Sequence, residues 1–487
     1  MKLMIGDEEV CVKIGNDGKE ELSWRCWLRT MFAASGAMAV FVFTGVTEAQ
    51  SAVMLPQLKQ KDSPIQISAD EETWIASLGI LLTPVSAILA GPLVDAFGRK
   101  KGLQGFYIII GLGFGVIASA KEVYQIYIGR CICAFAVGME PIAVIYLAEI
   151  STKRQRSLLF SLMAAMYSGG VTITYVIGGF LPWNVASAIF SLGCFAIFVV
   201  QCVTPESPAW LYKTNQVEAS TESYLRLGRS HTNILQELES LGLSSQQRTE
   251  KFHIRAFLEP TVWKPFLILS LFHIIHCGAG IYDVLFYTVE FVETLGTSYD
   301  PLAVSIFTSV ARFITNMTVG LYFTASLSRR FATIFSSFFM CLSLFVMGVY
   351  EYLYHDVSVK PFDWVPVLFT VVSVVSCSTG LLSLPWLMPG EMFPLHVRGV
   401  MNGAAFLVGS ACMFVTLKLY AFCMETLQIW GMLLMFAGFA FTGIFFGMFV
   451  LPETQGKTLY EIEQGFLPTQ KKRENEMSLS GKVETIT

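Results

Sequence analysis

Two long stretches of this chain contain no charged residue, and they constrain its fold more than any other feature. Residues 157–205 hold no Asp, Glu, Lys or Arg, and neither do residues 426–452. The hydrocarbon core of a bilayer is about 30 Å thick and takes roughly 20 apolar helical residues per crossing. The first stretch therefore predicts two membrane-spanning helices that meet at Pro182, Trp183 and Asn184, and the second predicts one.

The composition of the whole chain is also typical of a membrane protein. Apolar residues make up 54% of the 487 residues and charged residues 14%, so there are more apolar side chains than a soluble core needs. The hydrophobic runs predict twelve spans, which we number in chain order. They are 30–55, 73–95, 102–120, 124–149, 158–180, 184–204, 264–290, 301–326, 331–352, 364–389, 399–422 and 427–451.

The basic residues between the spans predict the orientation of the chain. Most of the 33 lysines and arginines fall on the side of the N-terminus, whereas Lys59, Lys61, Lys121 and Lys360 fall on the other side. The positive-inside rule then places both termini in the cytoplasm. No cleavable signal peptide is apparent, because the chain begins with a polar, acidic stretch. We expect an integral protein of the plasma membrane.

Short charged motifs occur twice in the same order, on either side of a polar segment at 206–262. The pairs are Gly98-Arg99-Lys100 with Ser328-Arg329-Arg330, Glu149 and Arg156 with Glu391 and Arg398, and Pro205-Glu206-Ser207 with Pro452-Glu453-Thr454. Parallel repeats of this kind are typical of transporters built from two bundles that rock about a central site. The sequence therefore predicts two similar halves.

The halves and the polar segments define the predicted domains. They are a cytoplasmic tail at 1–29, a six-helix bundle at 30–205, a partly helical cytoplasmic linker at 206–262, a second six-helix bundle at 263–453 and a cytoplasmic tail at 454–487. The loops at 56–72 and 353–363 are predicted to face outside.

Seven motifs carry a family resemblance. They are Gly91-Pro-Leu-Val-Asp95-Ala-Phe-Gly98-Arg99-Lys100, Gly129-Arg130, Tyr146-Leu-Ala-Glu149, Pro205-Glu-Ser-Pro-Ala-Trp-Leu211, Pro385-Trp386, Glu391-Met-Phe-Pro-Leu-His-Val-Arg-Gly399 and Pro452-Glu-Thr-Gln-Gly-Lys457. Together they resemble the signature set of the sugar-porter branch of the major facilitator superfamily. The run at 72–78 resembles the insect facilitated trehalose transporters in particular. The resemblance implies an all-α membrane protein of twelve transmembrane helices in two six-helix bundles, the major facilitator fold.

Charged residues of these motifs lie at the predicted cytoplasmic ends of the spans. They are Asp95, Arg99, Glu149, Arg156, Glu206, Arg330, Glu391, Arg398 and Glu453. We expect them to form a cytoplasmic gate that closes when the two bundles meet on that side, with about 1 kcal/mol for each half-exposed ion pair. The alternative is that they mark topology and anchor helix ends.

The resemblance also implies a substrate site, and the chain departs from the family there. Polar or tryptophan side chains of similar proteins are replaced at Ala164, His276, Cys277, Tyr282, Gly409 and Met413. Discrimination among sugars depends on buried groups that pair with their hydroxyls, so these replacements leave the substrate open. The predicted substrate-binding residues are Trp386, His276, Cys277, Tyr282 and Tyr287.

Five ionisable residues lie at predicted membrane depth, where each must be paired, solvated or neutral. They are Glu48, Arg130, Glu140, Asp283 and Arg312. Glu48 is one residue from the position where proton-coupled relatives carry an acid, so Glu48 and Asp283 are candidates for proton coupling. The alternative is that Arg130 or Arg312 neutralises one acid permanently.

The expected function is alternating-access transport of a small polar solute, a sugar such as a hexose or trehalose, by facilitated diffusion. A proton-coupled symporter and a transporter-like receptor that binds without transport remain alternatives, and the short tail after residue 465 favours transport. No metal-spaced His and Cys cluster, phosphate loop or nucleophile elbow is present in the sequence. We therefore predict no enzyme activity, cofactor, metal or nucleic-acid partner; the expected partners are a small-molecule solute and the lipid bilayer.

Overall fold

The computed structural model is helical almost throughout its described residues. It describes residues 2–5, 8–11, 24–230, 234–235, 237–238, 259–322, 328–355, 357, 360–394, 397–455, 457 and 459–466. Much of both predicted tails, part of the predicted linker and part of the outer loop at 353–363 lie outside these residues.

The first six predicted spans coincide with helices of the N-terminal half. Their bounds are Trp24–Leu58 for span 1, Ala69–Leu81 and Thr83–Phe97 for span 2, Arg99–Ala118 for span 3, Val123–Val137 and Pro141–Ile150 for span 4, Lys153–Phe180 for span 5 and Trp183–Val203 for span 6.

The last six predicted spans coincide with helices of the C-terminal half. Their bounds are Pro260–Gly278, Ile281–Phe286 and Thr288–Thr294 for span 7, Pro301–Tyr322 for span 8, Arg329–Tyr354 for span 9, Trp364–Ser378, Leu384–Leu387 and Pro389–Met392 for span 10, and Arg398–Phe445 with a π-helix at Phe446–Val450 for spans 11 and 12. Gln428, with a φ of 56°, separates spans 11 and 12.

A few elements lie outside the spans. Residues Lys2–Ile5 and Glu8–Cys11 form an antiparallel hairpin, the exception to the all-α prediction. Helices Pro208–Lys213 and Val217–Arg226 belong to the predicted linker, and helix Leu459–Phe466 follows span 12. Among the described residues, nine helices are long and apolar enough to cross a membrane, and one of them, Val400–Val450, contains two of the predicted spans.

Local sequence signals explain where several spans begin. Ser68 caps span 2 and pairs reciprocally with Glu71, and Thr152 caps span 5 in the same way with Gln155. Such capping boxes satisfy backbone N–H groups that have no partner inside the helix. The turn between spans 5 and 6 is held by Gln57 of span 1, which donates to the carbonyl oxygen of Gly178 at 2.7 Å.

Glycines allow spans 1 and 5 to pack closely. A Cβ on Gly45 would lie 2.2 Å from the carbonyl oxygen of Tyr167, and one on Gly170 would lie 2.0 Å from that of Val42. Small residues at such crossings let two helix backbones approach inside a membrane, where packing rather than the hydrophobic effect drives association.

Spans 7 and 10 are interrupted near the middle of the membrane. Gly280 has a φ of 77° and lies against the ring of Phe436, so its left-handed turn redirects span 7. Span 10 leaves the helical path between Ser378 and Leu384. Broken helices of this kind expose backbone groups next to a central cavity in transporters. The breaks in spans 7 and 10 position the side chains of the candidate site.

Candidate functional site

Trp386 of span 10 lies at the centre of an aromatic cluster between spans 7 and 11. Its ring centroid lies 4.8 Å from that of His273 and 4.9 Å from that of Phe406. Its indole N–H donates to the hydroxyl oxygen of Tyr282 at 2.9 Å. The structure thus brings together two residues of the predicted substrate-binding set.

His276 joins the same cluster from the first part of span 7. Its ring centroid lies 5.1 Å from that of Tyr282, and its Nδ1 lies 3.0 Å from the carbonyl oxygen of Leu381. Its Nε2 has no hydrogen-bond partner among the described residues. Cys277, the next residue, instead has its sulfur 3.9 Å from the carbonyl oxygen of Gly409 on span 11.

His273 is part of this cluster, although the sequence did not identify it. It is fully buried, and neither ring nitrogen has a hydrogen-bond partner in the described part of the chain. It precedes His276 by three residues, which places both on one helix face. A Cβ on Gly409 would lie 2.7 Å from the His273 ring and 2.8 Å from that of Trp386, so the glycine leaves room for both rings.

Tyr287 lies nearer the predicted outer end. Its ring stacks on that of Tyr420 with centroids 4.2 Å apart and an interplanar angle of 6°. Close by, the hydroxyl of Tyr175 on span 5 donates to the carbonyl oxygen of Leu285 at 3.0 Å. Tyr287 therefore lies where the two halves meet rather than beside Trp386.

The acids and arginines at membrane depth have distinct environments. Glu48 accepts a hydrogen bond from the hydroxyl of Tyr167, and the Arg312 guanidinium lies over the Tyr167 ring at 5.2 Å. Asp283 is buried, and its Oδ1 has no partner among the described residues. Arg130 donates mainly to carbonyl oxygens of spans 1 and 2, such as that of Thr47 at 2.6 Å, which agrees with a structural role.

The first charged cluster at the predicted cytoplasmic end lies within the N-terminal half. Arg99 donates from Nε and Nη2 to the two carboxylate oxygens of Glu149, at 2.9 and 3.0 Å, and from Nη1 to Asp95 at 3.2 Å. Glu206 accepts the backbone N–H groups of Arg99 and Lys100. Burial raises the pKa of Glu206, although these hydrogen bonds oppose the shift.

The second cluster repeats this arrangement in the C-terminal half. Arg329 donates to Glu391 from Nη2 at 2.8 Å and from Nε at 3.4 Å. Glu453 accepts the backbone N–H groups of Arg329 and Arg330 and the hydroxyl of Ser328. Burial acts to raise the pKa of Glu453, but these hydrogen bonds outweigh it and lower the pKa.

The side chains of two predicted gate arginines, Arg330 and Arg156, donate to backbone carbonyl oxygens instead of pairing with a predicted gate acid. Arg330 donates from Nε to the carbonyl oxygen of Leu451 at 2.6 Å, so it is Arg329 that pairs with the acid. Arg156 donates to the carbonyl oxygens of Ala148 and Ser151 rather than to Glu149. The side chain of Arg398 lies outside what the structure describes.

Each charged cluster, as far as its contacts are described, is built from residues of one half. Arg99 at the start of span 3 pairs with Glu149 at the end of span 4, and Arg329 at the start of span 9 pairs with Glu391 at the end of span 10. The sequence placed these charges across the bundle interface, whereas the described ion pairs of Arg99 and Arg329 stay within their own halves.

Contacts that join the halves lie at the predicted outer end and at the centre. Lys59 bridges Glu72 of span 2, at 2.7 Å, and Glu290 of span 7, at 3.0 Å. Burial opposes the shift, but Glu72 and Glu290 raise the pKa of Lys59. Lys418 of span 11 donates to the hydroxyl of Thr73 at 2.7 Å. None of these residues belongs to the predicted site, because no local sequence pattern indicates their pairing.

Comparisons with known proteins agree with this architecture. The facilitated trehalose transporter Tret1 of Bombyx mori is 28% identical over 90% of this chain and 86% of its own length. The facilitated trehalose transporter Tret1 of Apis mellifera ligustica is 25% identical over 91% of this chain and 89% of its own length. The structure of the major facilitator superfamily proton:xylose symporter XylE bound to 6-bromo-6-deoxy-D-glucose is 19% identical, covers 91% of this chain and 100% of its own, and has a TM-score of 0.71.

The likeness in structure confirms the predicted all-α, twelve-helix fold in two bundles, that of the major facilitator superfamily. The sequence also matches the model of the family described as sugar (and other) transporters over residues 30–466, nearly the whole chain. This integral membrane protein therefore belongs to the sugar (and other) transporter family.

Proposed function

We propose that the protein moves a sugar or a similar polar solute across the membrane by alternating access and facilitated diffusion. The relatives named as facilitated trehalose transporters support the substrate class and the passive mode. The observation that carries the proposal is the cluster of Trp386, Tyr282, His273 and His276 at the breaks of two spans.

The chemistry of this cluster suits a sugar. The C–H face of a pyranose ring can lie on an aromatic surface, which Trp386 provides. The unpartnered nitrogens of His273 and His276 can each donate to or accept from a hydroxyl, depending on the tautomer. His276 thereby takes the place of one of the polar side chains that similar proteins carry in span 7, and His273 adds a second imidazole one helical turn earlier.

Transport requires the contacts between the halves to break and reform. Lys59 with Glu290 and Lys418 with Thr73 join the halves at the predicted outer end. Half-exposed contacts of this type contribute about 1 kcal/mol or less each, so they can open in every cycle. We infer that the two charged clusters act as the cytoplasmic gate by bracing the span ends of each half, which meet when the outer end opens.

We also propose the predicted orientation, with both termini and the linker at 206–262 in the cytoplasm and residues 30–205 and 263–453 as the rocking units. The distribution of basic residues supports it, and the plasma membrane is the proposed location. Cysteines placed at Lys61 and at Lys213 test it in intact cells with a reagent that does not cross membranes. Labelling of the cysteine at Lys213 but not of the one at Lys61 would show that the chain has the opposite orientation.

Proton-coupled symport is the second candidate, favoured by the buried Asp283 with its unpartnered Oδ1 and by the Glu48 carboxyl beside Tyr167. Uptake of radiolabelled trehalose, D-glucose and D-xylose into proteoliposomes, with and without an imposed pH gradient, separates the candidates. Equilibration without accumulation supports facilitated diffusion, and accumulation that needs the pH gradient supports symport. Binding without uptake would show a receptor and contradict the proposal.

A further inference from the structure

Arg312 presents an unoccupied carboxylate-binding edge inside the membrane. The residue is 4% exposed, and its Nε and Nη2 have no hydrogen-bond partner among the described residues. These two nitrogens form the side of the guanidinium plane that holds a carboxylate through two parallel hydrogen bonds. A cation at membrane depth is costly unless it is paired or serves a pathway or a ligand, and Arg312 lacks the carbonyl partners that Arg130 has, so this edge is a candidate ligand-binding group.

Other arginines of the same chain show what this edge binds. Arg99 uses Nε and Nη2 to hold both oxygens of Glu149, and Arg329 uses the same two atoms toward Glu391. Arg130, also fully buried, donates to carbonyl oxygens and to the hydroxyl of Ser51. In Arg312 the same two atoms have no acid partner among the described residues.

Glu48 of the N-terminal half lies within electrostatic range of Arg312 but is not a hydrogen-bond partner of its Nε or Nη2. Glu48 accepts a hydrogen bond from the hydroxyl of Tyr167, and the Tyr167 ring lies under the guanidinium at 5.2 Å. The phenol therefore provides Glu48 with a donor of its own, and the two free nitrogens of Arg312 remain unpaired.

Arg312 belongs to a polar stripe that faces the N-terminal half. Thr308, Arg312 and Asn316 follow one another at intervals of four residues, which places them on one face of span 8. Asn316 donates to the hydroxyl of Ser168 on span 5 at 2.5 Å, and the hydroxyl of Thr308 has no described partner. The stripe therefore lines the interface between the halves rather than the lipid.

The stripe and the aromatic cluster share one region. The Tyr282 hydroxyl accepts the Trp386 N–H at 2.9 Å and lies within electrostatic range of Arg312. A solute whose ring lies on Trp386 would therefore have Arg312 on the side toward span 5. The site combines an aromatic face, hydroxyl-binding groups and one carboxylate-binding fork.

We propose that the transported solute is a sugar acid, a polyhydroxylated ring or chain whose carboxylate binds Nε and Nη2 of Arg312. This inference rests on the proposed function and narrows its substrate class. Because charge-assisted bidentate pairs are among the strongest polar contacts, the acid should be preferred over the matching neutral sugar by at least about tenfold.

The test compares radiolabelled D-glucuronate with D-glucose and trehalose, at equal concentration, in proteoliposomes that contain the wild type, Arg312→Gln or Arg312→Lys. We expect glucuronate uptake to exceed glucose uptake by at least about tenfold in the wild type. It should fall to the level of glucose in Arg312→Gln and remain well below the wild type in Arg312→Lys, because lysine keeps the charge but not the planar fork. Arg226→Gln, which changes an exposed linker arginine paired with Glu222, is the matched control.

Thermal unfolding provides a readout that does not need transport. Glucuronate should raise the melting temperature of the wild type and not that of Arg312→Gln. Wild-type protein that moves glucose or trehalose as well as glucuronate would overturn the sugar-acid proposal and leave the sugar-transport proposal standing. If no solute is transported or bound, the sugar-transport and sugar-acid proposals are both overturned. If a variant does not fold, the comparison of glucuronate with glucose in the wild type decides.

Discussion

The Lys59 ammonium nitrogen lies 3.0 Å from a carboxylate oxygen of Glu290 and thereby joins the two halves at the predicted outer end. Removing the cation leaves Glu290 facing Glu72 without a positive charge between them. Lys59→Ala should therefore shift the protein toward a state open at this end, by about fivefold for a loss of about 1 kcal/mol.

Spin labels on cysteines at Gln66 and Thr294, both exposed, measure the opening as a longer distance between the labels. Lys61→Ala, at an exposed lysine in the same loop, is the control and should leave the distance distribution unchanged. An identical distribution in Lys59→Ala would show that the bridge does not hold this end closed.

Gly409 allows the His273 and Trp386 rings to lie side by side. In Gly409→Ala the new methyl group would lie within 2.8 Å of both rings, so one ring must move. Overpacking of this kind costs about 1–3 kcal/mol, and we expect sugar uptake to fall by about tenfold. Gly403→Ala adds the same methyl group on the same helix, where nothing lies within 4 Å, and should retain uptake. Equal uptake by Gly409→Ala and Gly403→Ala would show that the space at Gly409 does not matter for transport.

Trp386 is expected to stack on the solute. Trp386→Ala removes the aromatic face and the donor to Tyr282, and an aromatic contact of this kind is worth about 0.5–1.5 kcal/mol beyond its area. Uptake should fall by roughly tenfold while surface expression is unchanged. Trp364→Ala removes an exposed tryptophan from the start of the same span and should have little effect on uptake. Wild-type uptake by Trp386→Ala would leave the residue with a packing role only.

Glu206 and Glu453 occupy equivalent positions in the two halves, but their pKa values shift in opposite directions. The lowered pKa of Glu453 means that its charged form stabilises the fold above about pH 4.3, and this contribution is lost as the pH falls through the lowered pKa. The raised pKa of Glu206 means that protonation favours the folded state, so stability is gained as the pH falls through the raised pKa.

Thermal unfolding between pH 7 and about pH 3 tests both directions, the gain of stability from Glu206 and the loss from Glu453 on acidification. Relative to the wild type, Glu453→Gln should lose less stability on acidification, because the acid that must be protonated is absent. Glu206→Gln should lose more, because a compensating proton uptake is absent. If the wild type, Glu453→Gln and Glu206→Gln had the same dependence of stability on pH, the opposite pKa shifts of Glu206 and Glu453 would both be contradicted.

The sequence predicted the parts of the fold that depend on local pattern. Charge-free runs of the right length gave the spans, and the break at Gly280 follows from the glycines of span 7. Trp386 was identified through a motif that the chain shares with its family and Tyr282 at a position where the chain departs from it, and their role in substrate binding stays a prediction. These features depend on composition and spacing, which a single sequence contains.

The parts that were missed depend on which side chains face each other across distant segments. Lys59 and Glu290 are separated by 231 positions, and no local pattern links them. Arg329 rather than Arg330 pairs with Glu391, and here the signal was present, because the repeated motif aligns Arg329 with Arg99. His273 was missed because a lone histidine on an apolar helix usually has a packing role.

The last prediction concerns proton coupling through Glu48. Its carboxyl is 9% exposed and accepts a hydrogen bond from Tyr167, whose ring lies beside Arg312 of the other half. Under the proposed alternating access, Tyr167 and Arg312 should separate as the halves rock apart, which would change the surroundings of the carboxyl. An acid at membrane depth must be paired or neutral, so such a change is what coupling requires.

Facilitated diffusion needs no such acid, and it remains the proposed mode. Wild-type proteoliposomes should therefore equilibrate the solute without accumulating it when the outside is made acidic. Glu48→Gln, which keeps an acceptor oxygen for Tyr167, should then transport at close to the wild-type rate, and Asp283→Asn tests the second acid in the same way. Accumulation in the wild type that disappears in Glu48→Gln, while solute exchange across the membrane persists, would replace facilitated diffusion by proton symport.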